Sequence, residues 1–250
     1  MGTSQSNPGP NSKSPLVPPW AEEAPMSPKS PLEPTRFKPF RRALGSYVST
    51  GDRDKLNRAL GHYARTASGG SKAVVHRMGS VTRAGGGLFG ALSGLPVDPG
   101  EKTIDINTLS GLPCEHAISA ITQALATEDG DSEKIKVSMK QALIEALDGI
   151  ETFDPQHITD TVIIDTMIAY LSESIFLQII NDGAKSWNKA ETPRQLMDVE
   201  MELRELIKVI VDKNMAPKLK GNIRSFTRVQ MIQIEQQTIN NVWEEWETYQ

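Results

Sequence analysis

The segment from Val162 to Ile180 constrains this chain more than any other. Val162, Ile163, Ile164, Met167, Ile168, Leu171, Ile175, Phe176, Ile179 and Ile180 point in every direction around a helix of 3.6 residues per turn. A helix that is apolar all round must be buried. Asp165, Glu173 and Gln178 within it argue for a protein interior and against a lipid one, so no membrane partner is expected. A central core helix needs others packed around it, and the sequence on both sides supplies them.

Downstream of residue 96 every strongly patterned stretch reads as helix. Pro113 can open a helix over about 113–127 with Ile118, Ile121 and Leu125 on one edge. A second, over about 132–148, buries Ile135, Met139, Leu143 and Leu147. Asp154-Pro155 is an N-cap with a first-turn proline, placed to start the core helix that runs to about Asn181. Thr192-Pro193 repeats that signal for a helix to about Asn214, with Leu196, Val199, Leu203, Leu206 and Ile210 inward. The last helix, over about 222–248, buries Ile232, Ile239, Val242, Trp243 and Trp246. The fold class is all-α, a helical bundle. With aromatics at 6%, its core is expected to be aliphatic.

Upstream, the chain changes character. Ten of the sixteen prolines fall between Pro8 and Pro39, among Ser, Asn, Lys and Gly. Residues 1–35 therefore read as a flexible or extended recognition tail, too poor in apolar residues to offset its ordering entropy. Within it, Pro15-Leu16-Val17-Pro18-Pro19-Trp20 can serve as a docking peptide or can drape over its own domain. Met1-Gly2 with Ser6 also matches the loose myristoylation pattern, without a polybasic second signal.

Residues 36–95 form a basic, glycine-containing helical segment, and residues 96–250 an acidic bundle. Between Arg36 and Arg83 there are 11 Lys/Arg against Asp52 and Asp54, a net charge of +9. From Glu101 onward 14 Lys/Arg face 25 Asp/Glu, a net charge of −11. Two short helices hold a near repeat, Arg42-Ala43-Leu44-Gly45-Ser46-Tyr47 and Arg58-Ala59-Leu60-Gly61-His62-Tyr63, separated by Ser49-Thr50-Gly51-Asp52 as stop and fresh N-cap. Arg41, Arg42, Arg53, Arg58 and Arg65 line the outside, either as a nucleic-acid-binding face or as a solvated basic one. Gly85, Gly87 and Gly90 spell G-x-G-x-x-G, but the residues before them read as helix and not strand, so close packing through Gly86, Gly90 and Gly94, or a flexible glycine loop, is the better reading.

No catalytic constellation emerges. His62, His76, His116 and His157 are scattered, and Cys114-Glu115-His116 is a local coincidence. Gly70-Ser71-Lys72 lacks the order and spacing of a phosphate-binding loop. The single cysteine excludes an intramolecular disulfide and a multi-cysteine zinc site, and fits a cytoplasmic setting. The chain is expected not to be an enzyme and to need neither cofactor nor metal.

Met1-Gly2-Thr3-Ser4, the Pro15–Trp20 segment, Arg42-Ala43-Leu44-Gly45 and Arg58-Ala59-Leu60-Gly61-His62-Tyr63 together resemble the QatB family. That family is the helical component of the four-gene Qat anti-phage defence system of bacteria, and the resemblance covers about residues 1–95. It implies three companions: an ATPase, a QueC-like protein and a TatD-like nuclease. It further implies a non-catalytic role as substrate or adaptor for the QueC-like partner. That partner would contact Gly2, Thr3, Ser4 and Pro15, Leu16, Val17, Pro18, Pro19, Trp20, with the Gly2 α-amino group as the acceptor of a 7-deazaguanine. A scaffold bridging the ATPase and the nuclease is the remaining alternative.

Overall fold

Thr192-Pro193 does what its sequence promises. Thr192 Oγ1 accepts the Gln195 backbone N–H at 3.1 Å, and Gln195 Oε1 accepts that of Glu191 at 2.8 Å, so reciprocal capping opens the helix Pro193–Met215. Asp154-Pro155 does less. Asp154 caps a 3₁₀ turn, Pro155–His157, and the core helix begins later, at Asp160. A cap and a proline specify the start of a turn of helix, not its continuation, and Ile158 in a non-helical conformation (ψ 70°) ends this one.

The computed structural model describes residues 9–11, 14–21, 35–96 and 103–250. Among these the chain forms nine α-helices and no strand: α1 (Phe37–Thr50), α2 (Arg53–His62), α3 (Ser71–Arg77), α4 (Gly79–Ser93), α5 (Cys114–Leu125), α6 (Ser132–Ala146), α7 (Asp160–Gly183), α8 (Pro193–Met215) and α9 (Arg228–Glu247). The expected all-α class is observed. Gly51 at φ 67° stops α1, and the Asp52 side chain accepts the Asp54 N–H at 3.0 Å to start α2. A π-helical segment, Tyr63–Ala67, continues α2. Helix α7 is long and apolar enough to cross a membrane, yet its most apolar stretch is largely buried inside the protein.

The chain divides into two packed units. Unit 1 comprises residues up to Gly79, Ile175–Ile210 and Ile239–Gln250. Its core departs from the aliphatic expectation. Phe40, Tyr63, Trp243 and Trp246 form a chain of tilted ring contacts, with centroids 4.7, 5.8 and 4.9 Å apart, and Trp187 is wholly buried. Few aromatics in the whole sequence still make an aromatic core when they converge on one unit. Two of the indoles find a partner for their polar end, Trp243 Nε1 donating to Ser68 Oγ at 2.9 Å and Trp187 Nε1 to the Ile180 carbonyl at 3.1 Å, while the buried Trp246 Nε1 has none among the described residues.

Unit 2 comprises Ser80–Ser174 and Val211–Thr238. Val81, Leu88, Ile121, Ile135, Met139, Leu143, Ile163, Met167 and Met231 fill its interior, which is aliphatic as expected. The glycine stripe of α4 is a packing surface here. A Cβ on Gly86 would meet Ile232 Cγ1 at 2.7 Å, one on Gly90 would run into the Arg228 guanidinium, and one on Gly85 into the Glu235 carboxyl. Residues 228, 232 and 235 share one face of α9, so α4 and α9 meet where α4 has no side chains. Gly94 is not part of this contact; at φ +68° it ends α4.

Candidate interaction surface of helix α1 and the N-terminal strap

Phe37 opens α1 with an arginine one residue before it and another four residues after it. Both guanidiniums lie over its ring, with Arg36 Cζ and Arg41 Cζ each 4.6 Å from the centroid. Their remaining donors reach the N-terminal tail. Arg36 Nη2 donates to the Ser14 carbonyl at 2.7 Å, and Arg41 Nη2 to the Pro10 carbonyl at 2.7 Å. Both acceptors are backbone carbonyls, so these two clamping bonds do not depend on the side chains of Pro10 and Ser14.

Shape completes the clamp. A Cβ on Gly9, at φ +65°, would sit 2.5 Å from Ala184 Cβ and 2.7 Å from the Asn181 carbonyl oxygen, so only glycine lets the chain pass there. Leu16 lies against Gly69, where a Cβ would come within 2.8 Å of its Cδ2. Val17 and Ala21 are buried, Pro18 is half-buried, and Pro15, Pro19 and Trp20 are exposed, Trp20 by 44%. The described parts of residues 9–21 thus form a strap on unit 1, with Leu16 and Val17 turned to their own unit and Trp20 outward. Gly2, Thr3 and Ser4 lie outside the described residues.

Beneath the strap, charge is concentrated on Asp182, which is fully buried. Its Oδ1 accepts Arg77 Nη2 at 2.7 Å, its Oδ2 accepts the Tyr63 hydroxyl at 2.7 Å and Gln178 Nε2 at 3.2 Å, and its carbonyl accepts Arg41 Nε at 2.9 Å. One carboxylate therefore serves buried Arg77 and Arg36 as well as Arg41. Burial pushes the Arg36 and Arg41 guanidiniums below their ordinary range, with neighbouring Arg77 adding to the effect on Arg36 and Asp182 opposing it on both. Burial first, then the charge of Asp182, holds the Tyr63 phenol well above its usual value, so it stays a donor.

The outer face of α1 borders two open grooves. One, about 1040 Å³, is lined by Lys38, Arg41, Arg42, Lys185 and Lys189 with Asn11 and three serines. The other, about 510 Å³, is lined by Lys38, Arg42, Lys55, Arg58, Ser46 and His62 among others. No carboxylate lines either among the described residues. His62 is pushed below its ordinary value by burial and by Arg65 and Arg58, which keeps it uncharged at neutral pH.

The five arginines expected on a basic face separate accordingly. Arg42 and Arg58 are exposed and line the grooves, and Arg53 is exposed elsewhere on α2. Arg41 is held by Pro10 and Asp182, and Arg65 Nη1 donates at 2.6 Å to the carbonyls of Glu247 and Tyr249. Lys38, Lys55, Lys185 and Lys189 belong to the grooves and went unnamed in the sequence reading. The four-residue spacings Lys38–Arg42 and Lys185–Lys189 were the available signal. Cys114 is buried in unit 2 with its thiol pushed up by burial, and no group of acidic, histidine or cysteine side chains able to hold a metal occurs among the described residues.

Comparison with known families settles the affiliation. The family described as "Qat anti-phage system associated protein QatB" matches residues 69–246, well over half of the chain. The chain belongs to the QatB family. It is accordingly a component of an anti-phage defence system that works with partner proteins of the same system. The QatB match covers α3 to α9, whereas the motifs at residues 1–4, 15–20, 42–45 and 58–63 all lie ahead of it. No curated protein and no solved structure matches.

Proposed function

We propose that this chain is a non-catalytic adaptor of its defence system whose N-terminal segment is bound, and conjugated at Gly2, by a QueC-like partner. The supporting observation is the strap. Two arginines and two tight glycine contacts hold residues 9–21 on unit 1 while Trp20 and its neighbouring prolines face outward. A fixed landmark with an exposed aromatic is a good docking point for a protein. Six residues separate Gly2 from Gly9, so covalent reach alone keeps Gly2 within about 25 Å of it. With Met1 removed, the Gly2 amine is a competent nucleophile: an α-amino group titrates near 7.7–8.0, and much of it is neutral at physiological pH. The partner would activate the carboxylate of a 7-deazaguanine with ATP as an acyl adenylate, releasing pyrophosphate, and attack by the neutral Gly2 amine would expel AMP and, with loss of a proton from nitrogen, form an amide.

The test is the mass of the N-terminal peptide from protein produced with and without the QueC-like partner. A deazaguanine-sized increase on Gly2, present only with the partner, is the expected result. Unmodified Gly2 in a fully active system overturns the reading. Trp20→Ala is expected to weaken partner binding at least tenfold, read beside a thermal melt of the same variant, because Trp20 is the exposed aromatic of the strap.

A further inference from the structure

The paired grooves around α1 have a chemistry that neither the adaptor role nor the strap uses. Lys38, Arg42, Lys55, Arg58, Lys185 and Lys189 line them, and no carboxylate does among the described residues. The grooves share Lys38, Arg42 and Ser46, so α1 forms a basic ridge with a cationic trough on each side. Lys38 and Arg42 are one turn apart on its crest, about 5–6 Å between Cβ atoms, and both are exposed. Lys185 and Lys189 repeat that spacing in the 3₁₀ segment that follows α7 and are exposed too.

We infer that this face binds nucleic acid through its phosphate backbone, without base-sequence preference. Three observations favour that ligand. First, the cations follow both sides of a ridge, which suits a line of successive phosphates better than one small anion. Second, the hydroxyls of Ser46, Ser49 and Ser186 in the larger groove donate to the carbonyls of Arg42, Ser46 and Arg41, which leaves the charge of the lysines and arginines as the means of holding a ligand, as on a phosphate backbone. Third, Phe37, the one large apolar side chain among the described residues that lines either groove, is buried beneath the Arg36 and Arg41 guanidiniums, which leaves no exposed apolar anchor there of the kind a protein–protein interface uses. Arg41 and Arg65 hold backbone carbonyls and Lys55 faces Asp52 at 3.8 Å, so Lys38, Arg42, Arg58, Lys185 and Lys189 form the binding set.

The experiment is fluorescence anisotropy of the full chain with labelled mixed-sequence single-stranded and duplex oligonucleotides, titrated from 25 to 300 mM salt. Micromolar binding is expected at low salt, indifferent to base sequence. Engagement of about four phosphates gives a log–log salt slope of roughly −3 to −4. The charge reversals K38E/R42E and K185E/K189E should each weaken binding at least tenfold, while Lys140→Glu, in unit 2, leaves it unchanged. Using both groove variants guards against local misfolding of either, and circular dichroism with a thermal melt accompanies each. Absence of binding at 25 mM salt overturns the inference. So does equal loss in Lys140→Glu, or displacement of the oligonucleotide by a polyglutamate peptide at equal charge concentration, which would make the occupant an acidic protein. None of these outcomes depends on whether Gly2 is conjugated.

Discussion

Asp182 and Glu235 are both fully buried carboxylates, and their surroundings give them opposite behaviour. Asp182 has Arg77, Tyr63 and Gln178 around its carboxylate. Asp182→Ala is expected to destabilise the protein by about 3–5 kcal/mol, since it breaks the buried ion pair with Arg77. Urea denaturation measures this, and a loss under about 1 kcal/mol would mean Arg77 finds another partner. Glu235 has no hydrogen-bond partner for either oxygen, and burial holds its carboxyl well above its ordinary value of 4.5. The folded protein therefore keeps a proton that the unfolded chain releases. The stability this contributes is complete below about pH 4.5 and declines as pH rises toward the folded-state value. Glu235→Gln should flatten that decline and make the protein more stable than wild type at pH 8, read as the change in urea midpoint between pH 5 and pH 8. Residue identity forecast little of this. Sequence shows that Leu16, Val17 and Arg41 are apolar or basic, but only packing shows that they face Gly69, the body of unit 1 and the Pro10 carbonyl.

Helices were more legible than their contacts. Starts and stops written in short-range chemistry, such as Gly51-Asp52 and Thr192-Pro193, fell where the sequence placed them, because a cap involves only residues within a turn of each other. Thr227 and Gln230 form another reciprocal cap, at the head of α9, which the sequence reading passed over. The small-residue stripe of α4 was visible as a four-residue recurrence, yet its true members are Gly85, Gly86 and Gly90, since Gly94 is needed to end the helix. Gly86→Ala should cost roughly 1–3 kcal/mol, the range for overpacking a close contact. Pairing it with Ile232→Ala should restore part of that loss, because the added methyl then has room; a double-mutant cycle in urea checks it, and strict additivity would place the strain elsewhere.

At the scale of the whole chain, charge and packing divide the sequence differently. Composition separates a basic segment ending near residue 95 from an acidic remainder. Packing groups residues up to Gly79 with Ile175–Ile210 and Ile239–Gln250. Periodicity cannot reveal that grouping, because a helix announces its buried face without naming what covers it. The aromatic core of unit 1 shows the dependence, since Trp243 of α9, backed by Trp246, packs on Tyr63, which in turn packs on Phe40. This has a consequence during synthesis. A nascent chain emerging from the ribosome cannot close that core until α9 has left the exit tunnel, so the earliest-made helices must wait through most of translation with Phe40 and Tyr63 uncovered. In a cell under phage attack, such late closure makes the supply of working protein sensitive to any arrest of elongation, and exposes stalled products to proteolysis.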